Sequence, residues 1–184
     1  MTPNEKLMQH LESLLETLPE AAKDLRLNMQ NVLASSSLDT SQAWGTALAS
    51  AYFVRHAALR DALLADAGEK LEDAAVDDAR AAASLMGMNT VYYRFRHLVG
   101  KESYASRRAG LRMNRMMSPK TSRAEFEIFS LACGILAGCE ACIKSHEANV
   151  IKAGVSEEQV NDVARIAATV AGVAVALGLD NTGA

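Results

Sequence analysis

The chain has 184 residues, 49% hydrophobic and 22% charged, with a net charge of −3; it can bury a core without covalent help and shows no basic stripe for a nucleic-acid partner. The N-terminal MTPNEKLMQHLESLLETLPE sets acidic residues among its leucines, unlike a secretory signal, and the most apolar stretch, 166–179, falls short of the ~20 residues of a membrane span. Three clustered cysteines make no disulfide framework, so the cytoplasm is the expected compartment.

Alanine and leucine dominate and β-branched alternation is almost absent, so the chain is predicted to be all-α. Leu7, Leu11, Leu14, Leu15 and Leu18 share a face of a first helix that Asn4 caps and Pro19 ends. A second runs from Pro19 to about Ala34, and Ser35, Ser36, Ser37, Leu38 and Asp39 form the next loop. Trp44, Leu48 and Tyr52 mark a helix over 41–55. Residues 61–66 are helical with Gly68 as the stop, and 73–97 form a long helix with Gly100 beyond it. Residues 101–117, with four arginines and one lysine, read as a connector with some helix and a solvated basic surface. Ser122 with Glu125 is a capping-box pattern for a helix to about Ala137, and Gly138 interrupts it. A helix from Cys139 to Lys152 ends at Gly154, and Ser156 with Gln159 opens the last, which reaches Leu177.

A faint repeat sets TALASAYFV (46–54) beside SLACGILAG (130–138) and VDDARAAASL (76–85) beside VNDVARIAAT (160–169), both 84 residues apart. The expectation is one domain over 1–184 made of two related helical halves, about 40–100 and 119–180. Only the second carries cysteines; at this offset Arg55 matches Cys139 and Ala58 matches Cys142.

GCEACIKSH (138–146) carries the chemistry. On a helix Cys139, Cys142 and His146 share one face, and Cα atoms three apart are roughly 5 Å from each other, within reach of a disulfide. Gly138 suggests that Cys139 opens its helix, where the free N–H groups favour a thiolate. His146 supplies a proton carrier one turn beyond Cys142. Glu127 orients it if the two helices fold back at Gly138; Glu125 and Glu140 compete for that role. The arrangement suits a cycling dithiol. Two other readings stay open: inert core thiols, and a zinc site with Cys133 as fourth ligand. Haem attachment is excluded, because Ile143 stands where a histidine is needed. Cys133 reads as a core residue, and His10, His56 and His97 as surface or structural histidines.

The pattern E-x11-C-x-x-C-x3-H formed by Glu127, Cys139, Cys142 and His146 resembles the alkyl hydroperoxidase D (AhpD) family, which shares its fold with the carboxymuconolactone decarboxylases. QAWGTALASAYF (42–53), MGMNTVYYRFRHLV (86–99) and SEEQVNDVARIAA resemble it too, so the likeness spans the whole chain. It implies an all-helical, two-lobed subunit in a homotrimer, with the C-x-x-C helix in the C-terminal half. It implies an antioxidant peroxidase that reduces alkyl hydroperoxides and re-reduces its partner peroxiredoxin, alkyl hydroperoxide reductase C. No cofactor is bound; electrons come from dihydrolipoamide, carried by a lipoylated acyltransferase and renewed by lipoamide dehydrogenase. In the family pattern Cys142 takes the sulfenic acid and the mixed disulfide with the peroxiredoxin. Cys139 is proton donor and resolving thiol in a Cys139–Cys142 disulfide, and Glu127 and His146 relay the proton. The helix dipole and expected exposure point instead to Cys139 as the attacking thiol. Some family members carry a further histidine directly before the second cysteine, where this chain has Ala141. The competing functions are a zinc-binding structural protein and a thiol-independent enzyme like the decarboxylases.

Overall fold

The computed structural model describes residues 8–68 and 70–179, and among them every regular element is helical. Two triplets of helices follow one another. The first is α3 (Thr40–Val54), α4 (Ala57–Ala67) and α5 (Asp73–Val99); the second is α8 (Arg123–Ala137), α9 (Glu140–Lys152) and α10 (Glu157–Leu177). Ahead of them α1 (Gln9–Leu15) packs on α4, and α2 (Lys23–Ala34), entered through a 3-10 turn at Glu20–Ala22, packs on α10. The connector holds two single turns, α6 (Glu102–Ala105) and α7 (Asn114–Met117). The proposed Asn4 cap lies outside the described residues.

The core is built on α3 and α8. Their small residues let the two backbones approach closely, and most of each helix is buried. They run side by side in the same direction. Ser41 Oγ donates to Glu125 Oε1 at 2.5 Å, Phe129 lies where a side chain on Gly45 would stand, and Cys133 Sγ faces the Ala49 carbonyl at 3.9 Å. Glycine is required at 45 because any Cβ there would overlap the Phe129 ring.

Two buried carboxylates tie the two triplets together, and they stand at matching positions of the two segments compared in the sequence, 84 residues apart. Asp78 on α5 accepts from Thr121 N (2.7 Å) and Oγ1 (2.8 Å), in the loop that starts the other half; Arg115 also binds it. Asp162 on α10 accepts from Ser37 N (2.7 Å) and Oγ (2.8 Å), in the loop that starts the first half, with Arg165 at 2.7 Å. Burial pushes both carboxyls up, but these hydrogen bonds outweigh it and hold both below the ordinary aspartate value.

Several boundaries differ from expectation for local reasons. α4 begins at Ala57 because His56 Nδ1 caps it, accepting from Leu59 N at 3.3 Å. Gly68 ends α4 in right-handed backbone, φ −56°. At α8 the Ser122 hydroxyl accepts from Glu125 N, but the Glu125 carboxylate turns to Ser41 and does not close the box. The Ser156–Gln159 box is complete. α10, at 21 residues, is long and apolar enough by composition to cross a bilayer, contrary to the shorter stretch read from sequence. Its Val163, Ile166, Ala167, Val170 and Val173 are instead buried in the core.

Candidate functional site

The site forms where α8 turns into α9. Gly138, in left-handed backbone at φ 60°, stops α8 and reverses the chain. Cys139 follows as the N-cap of α9, and its Sγ accepts from Cys142 N at 3.4 Å. The two sulfurs are paired as a disulfide, with Cα atoms 5.3 Å apart.

Because α9 folds back along α8, residues 19 apart in sequence meet: His146 Nδ1 lies 2.6 Å from Glu127 Oε2. Both side chains are buried. Burial pushes the Glu127 carboxyl up, but the hydrogen bond and charge of His146, helped by Asn149 and Arg123, hold it below the ordinary glutamate value. The competing carboxylates are elsewhere. Glu125 is raised by burial and bound to Ser41. Glu140 is at the surface with Lys144 (2.5 Å) and His97 (3.0 Å).

A cavity of about 420 Å³ opens onto Cys142, His146 and Glu127. Ala141 and Ser145 of α9 also line it, so the position before Cys142 adds a methyl group to the wall and no proton carrier. Cys139 does not line it and is 0% exposed, whereas Cys142 is 5% exposed. The expected exposure of Cys139 is thus overturned: as N-cap it points into the turn, and of the two cysteines it is Cys142 that lines the cavity.

Cys133 is fully buried, and burial pushes its thiol far up. It faces Ala49 and is not brought to the other two cysteines as a fourth ligand. Among the described residues no group of three or more His, Cys, Asp or Glu is arranged to hold a metal ion. Of the other histidines, His56 caps α4 and His97 meets Glu140.

The rest of the cavity wall was not anticipated. Asn89 and Tyr93 come from α5, Arg123 from α8, and Leu111, Met113, Asn114, Met116 and Met117 from the connector. One signal was available: the connector holds three of the chain's eight methionines within five residues, more than a solvated basic surface requires.

The carboxymuconolactone decarboxylase family model matches residues 103–179, which span most of the connector and the second half. A protein named alkyl hydroperoxide reductase AhpD from Anaeromyxobacter dehalogenans (strain 2CP-C) is 51% identical, over 94% of this chain and 92% of its own length. Proteins of the same name from Solibacter usitatus and Rhodospirillum centenum are 44% and 43% identical, over 92% and 91% of this chain and 96% and 90% of their own lengths.

Proposed function

The chain belongs to the alkyl hydroperoxide reductase AhpD family, and from that premise we propose that it is a dithiol peroxidase and peroxiredoxin reductase working through Cys139 and Cys142. The observation that carries this reading is that Cys142 faces the same cavity as a buried His146–Glu127 pair.

In the reduced enzyme the Cys142 thiolate attacks the terminal oxygen of the hydroperoxide. The O–O bond breaks, the leaving alkoxide takes a proton and departs as the alcohol, and Cys142 is left as the sulfenic acid. Glu127 fixes the imidazole through Nδ1, which leaves Nε2 of His146 to take the Cys142 proton and return it to the alkoxide. Cys139 then attacks the Cys142 sulfur and water leaves as the disulfide forms. Dihydrolipoamide on a lipoylated acyltransferase returns two electrons and two protons to the pair, and lipoamide dehydrogenase renews it. Toward alkyl hydroperoxide reductase C, Cys142 forms the mixed disulfide and Cys139 resolves it. No bound cofactor is called for.

The working assembly in this reading is a homotrimer. Val91, Phe95 and Leu98 on one stripe of α5 are 61%, 47% and 75% exposed, an apolar surface that such an assembly would cover. The test is NADH consumption coupled through lipoamide dehydrogenase and a lipoylated carrier, with and without the peroxiredoxin. Hydroperoxide-dependent turnover is expected in both. A reduced protein that keeps all its thiols under mild hydroperoxide would instead favour thiol-independent chemistry like that of the decarboxylases. One zinc per subunit would favour the structural-metal reading.

A further inference from the structure

Met116 is held at the cavity wall by a buried amide: Asn89 Nδ2 donates to Met116 Sδ at 3.3 Å. Asn89 is 4% exposed, and its Oδ1 has no hydrogen-bond partner among the described residues. A thioether sulfur is a weak acceptor, so this buried amide is poorly satisfied as it stands. A sulfoxide oxygen is a strong acceptor. The Asn89 donor therefore suits an oxidised Met116 better than a reduced one, and Met116 shares its cavity with the sulfur proposed to meet hydroperoxide.

We propose that Met116 is an oxidation site, converted to methionine sulfoxide by hydroperoxide in this cavity once Cys139 and Cys142 are spent as the disulfide. The inference rests on the peroxidase reading. The Met116 sulfur attacks the terminal oxygen, the O–O bond breaks, and one oxygen stays on sulfur. The proton of the terminal hydroxyl ends on the alkoxide, so thioether plus hydroperoxide gives sulfoxide plus alcohol. Sulfur supplies both electrons, and no other reductant takes part. The new oxygen, bound by Asn89 Nδ2, makes an apolar wall polar and slows entry of the next alkyl hydroperoxide. The enzyme is thereby throttled when oxidant outruns its reductant.

The experiment uses the full chain, oxidised to the disulfide and exposed to tert-butyl hydroperoxide without reductant, followed by peptide mass spectrometry over time. Met117, at 72% exposure, lines the same cavity and is open to bulk oxidant as well, but among the described residues no amide donates to its sulfur. With Asn89 Nδ2 placed to bind the new oxygen, Met116 is expected to gain it at least ~10-fold faster than Met117. Methionine sulfoxide reductase is then expected to restore the turnover that was lost. Asn89→Leu, checked for folding by circular dichroism, is expected to erase the lead of Met116. Met117 reacting first or alongside Met116 in the natural sequence would overturn the proposal, with no variant needed. A parallel sample of fully reduced protein gives the thiol titre, and if hydroperoxide leaves that titre unchanged the peroxidase reading fails, and this inference with it. Thiol loss with no lead of Met116 sinks this inference alone.

Discussion

The two halves of the molecule contain the same turn, and only one of them carries cysteines. In the first, Arg55 ends α3 in left-handed backbone, φ 61°, and His56 caps α4 by accepting from the N–H three residues on. In the second, Gly138 ends α8 at φ 60° and Cys139 caps α9 in the same way. These positions are 83 residues apart. At this offset Leu59 matches Cys142, Leu63 matches His146 and Trp44 matches Glu127. The caps therefore correct the alignment that paired Arg55 with Cys139. One backbone design serves both turns; the second differs by four side chains, which set a disulfide at the turn and place Cys142, His146 and Glu127 in the wall of a cavity.

The sharpest way to break the comparison is to remove a sulfur. Cys139→Ser and Cys142→Ser are each expected to abolish turnover, while Cys133→Ser, in the core, stays near wild type in the coupled assay. Dimedone labelling after one equivalent of hydroperoxide is expected to trap a sulfenic acid in Cys139→Ser and none in Cys142→Ser. The reverse pattern would mean that the helix N-terminus, not the histidine, selects the attacking sulfur. The converse substitution, His56→Cys with Leu59→Cys, recreates the spacing in the first half. It is expected to add no peroxidase activity to a Cys139→Ser, Cys142→Ser background, because Leu63 and Trp44 supply no relay.

Next in size is the relay. Glu127→Gln and His146→Gln are expected to lower the peroxide-dependent rate by about 10²- to 10⁴-fold and to change its pH profile, while the disulfide still forms. Wild-type rates in both across neutral pH would remove the pair from the mechanism.

The locks between the halves come third. Asp78 and Asp162 have folded-state values below the ordinary one, so their contribution is present above the unfolded value. It is lost as pH falls through the depressed folded value. Asp78→Asn and Asp162→Asn are each expected to cost about 1–3 kcal/mol near neutral pH, and to approach wild type on acidification. Denaturant titrations across acid pH check this; a gap constant with pH would place the cost in packing rather than charge.

The smallest effect is at Arg55. Glycine carries no Cβ penalty in left-handed backbone, so Arg55→Gly, copying Gly138, is expected to raise stability by up to about 1 kcal/mol. A drop in thermal midpoint would show that the arginine side chain matters more than the backbone.

Local chemistry explains what was readable in the sequence. Helix periodicity, the glycine at 138, the Ser156–Gln159 box and the C-x-x-C spacing act within a turn or two of chain, so the residues themselves declare them. The Glu127–His146 contact depended on whether Gly138 folds α9 back along α8, and it became a choice among three glutamates. The capping role of His56 and the burial of Cys139 depend on a backbone turn that no pattern spells out. Least readable was the far wall of the cavity. Asn89 and Met116 are 27 residues apart and meet only because the connector crosses α5, while its arginines disguise the segment as plain surface.

The crossed carboxylates have a mechanical consequence. Each long helix grips the first loop of the opposite half, so pulling the halves apart must break both grips together, and neither half keeps its leading loop alone. The chain is in effect a dimer with a tether, and residues 101–117 are the tether. A single backbone cut within 106–110 is therefore expected to leave two fragments that travel as one particle on a sizing column. They would separate only when acid or denaturant opens both clasps.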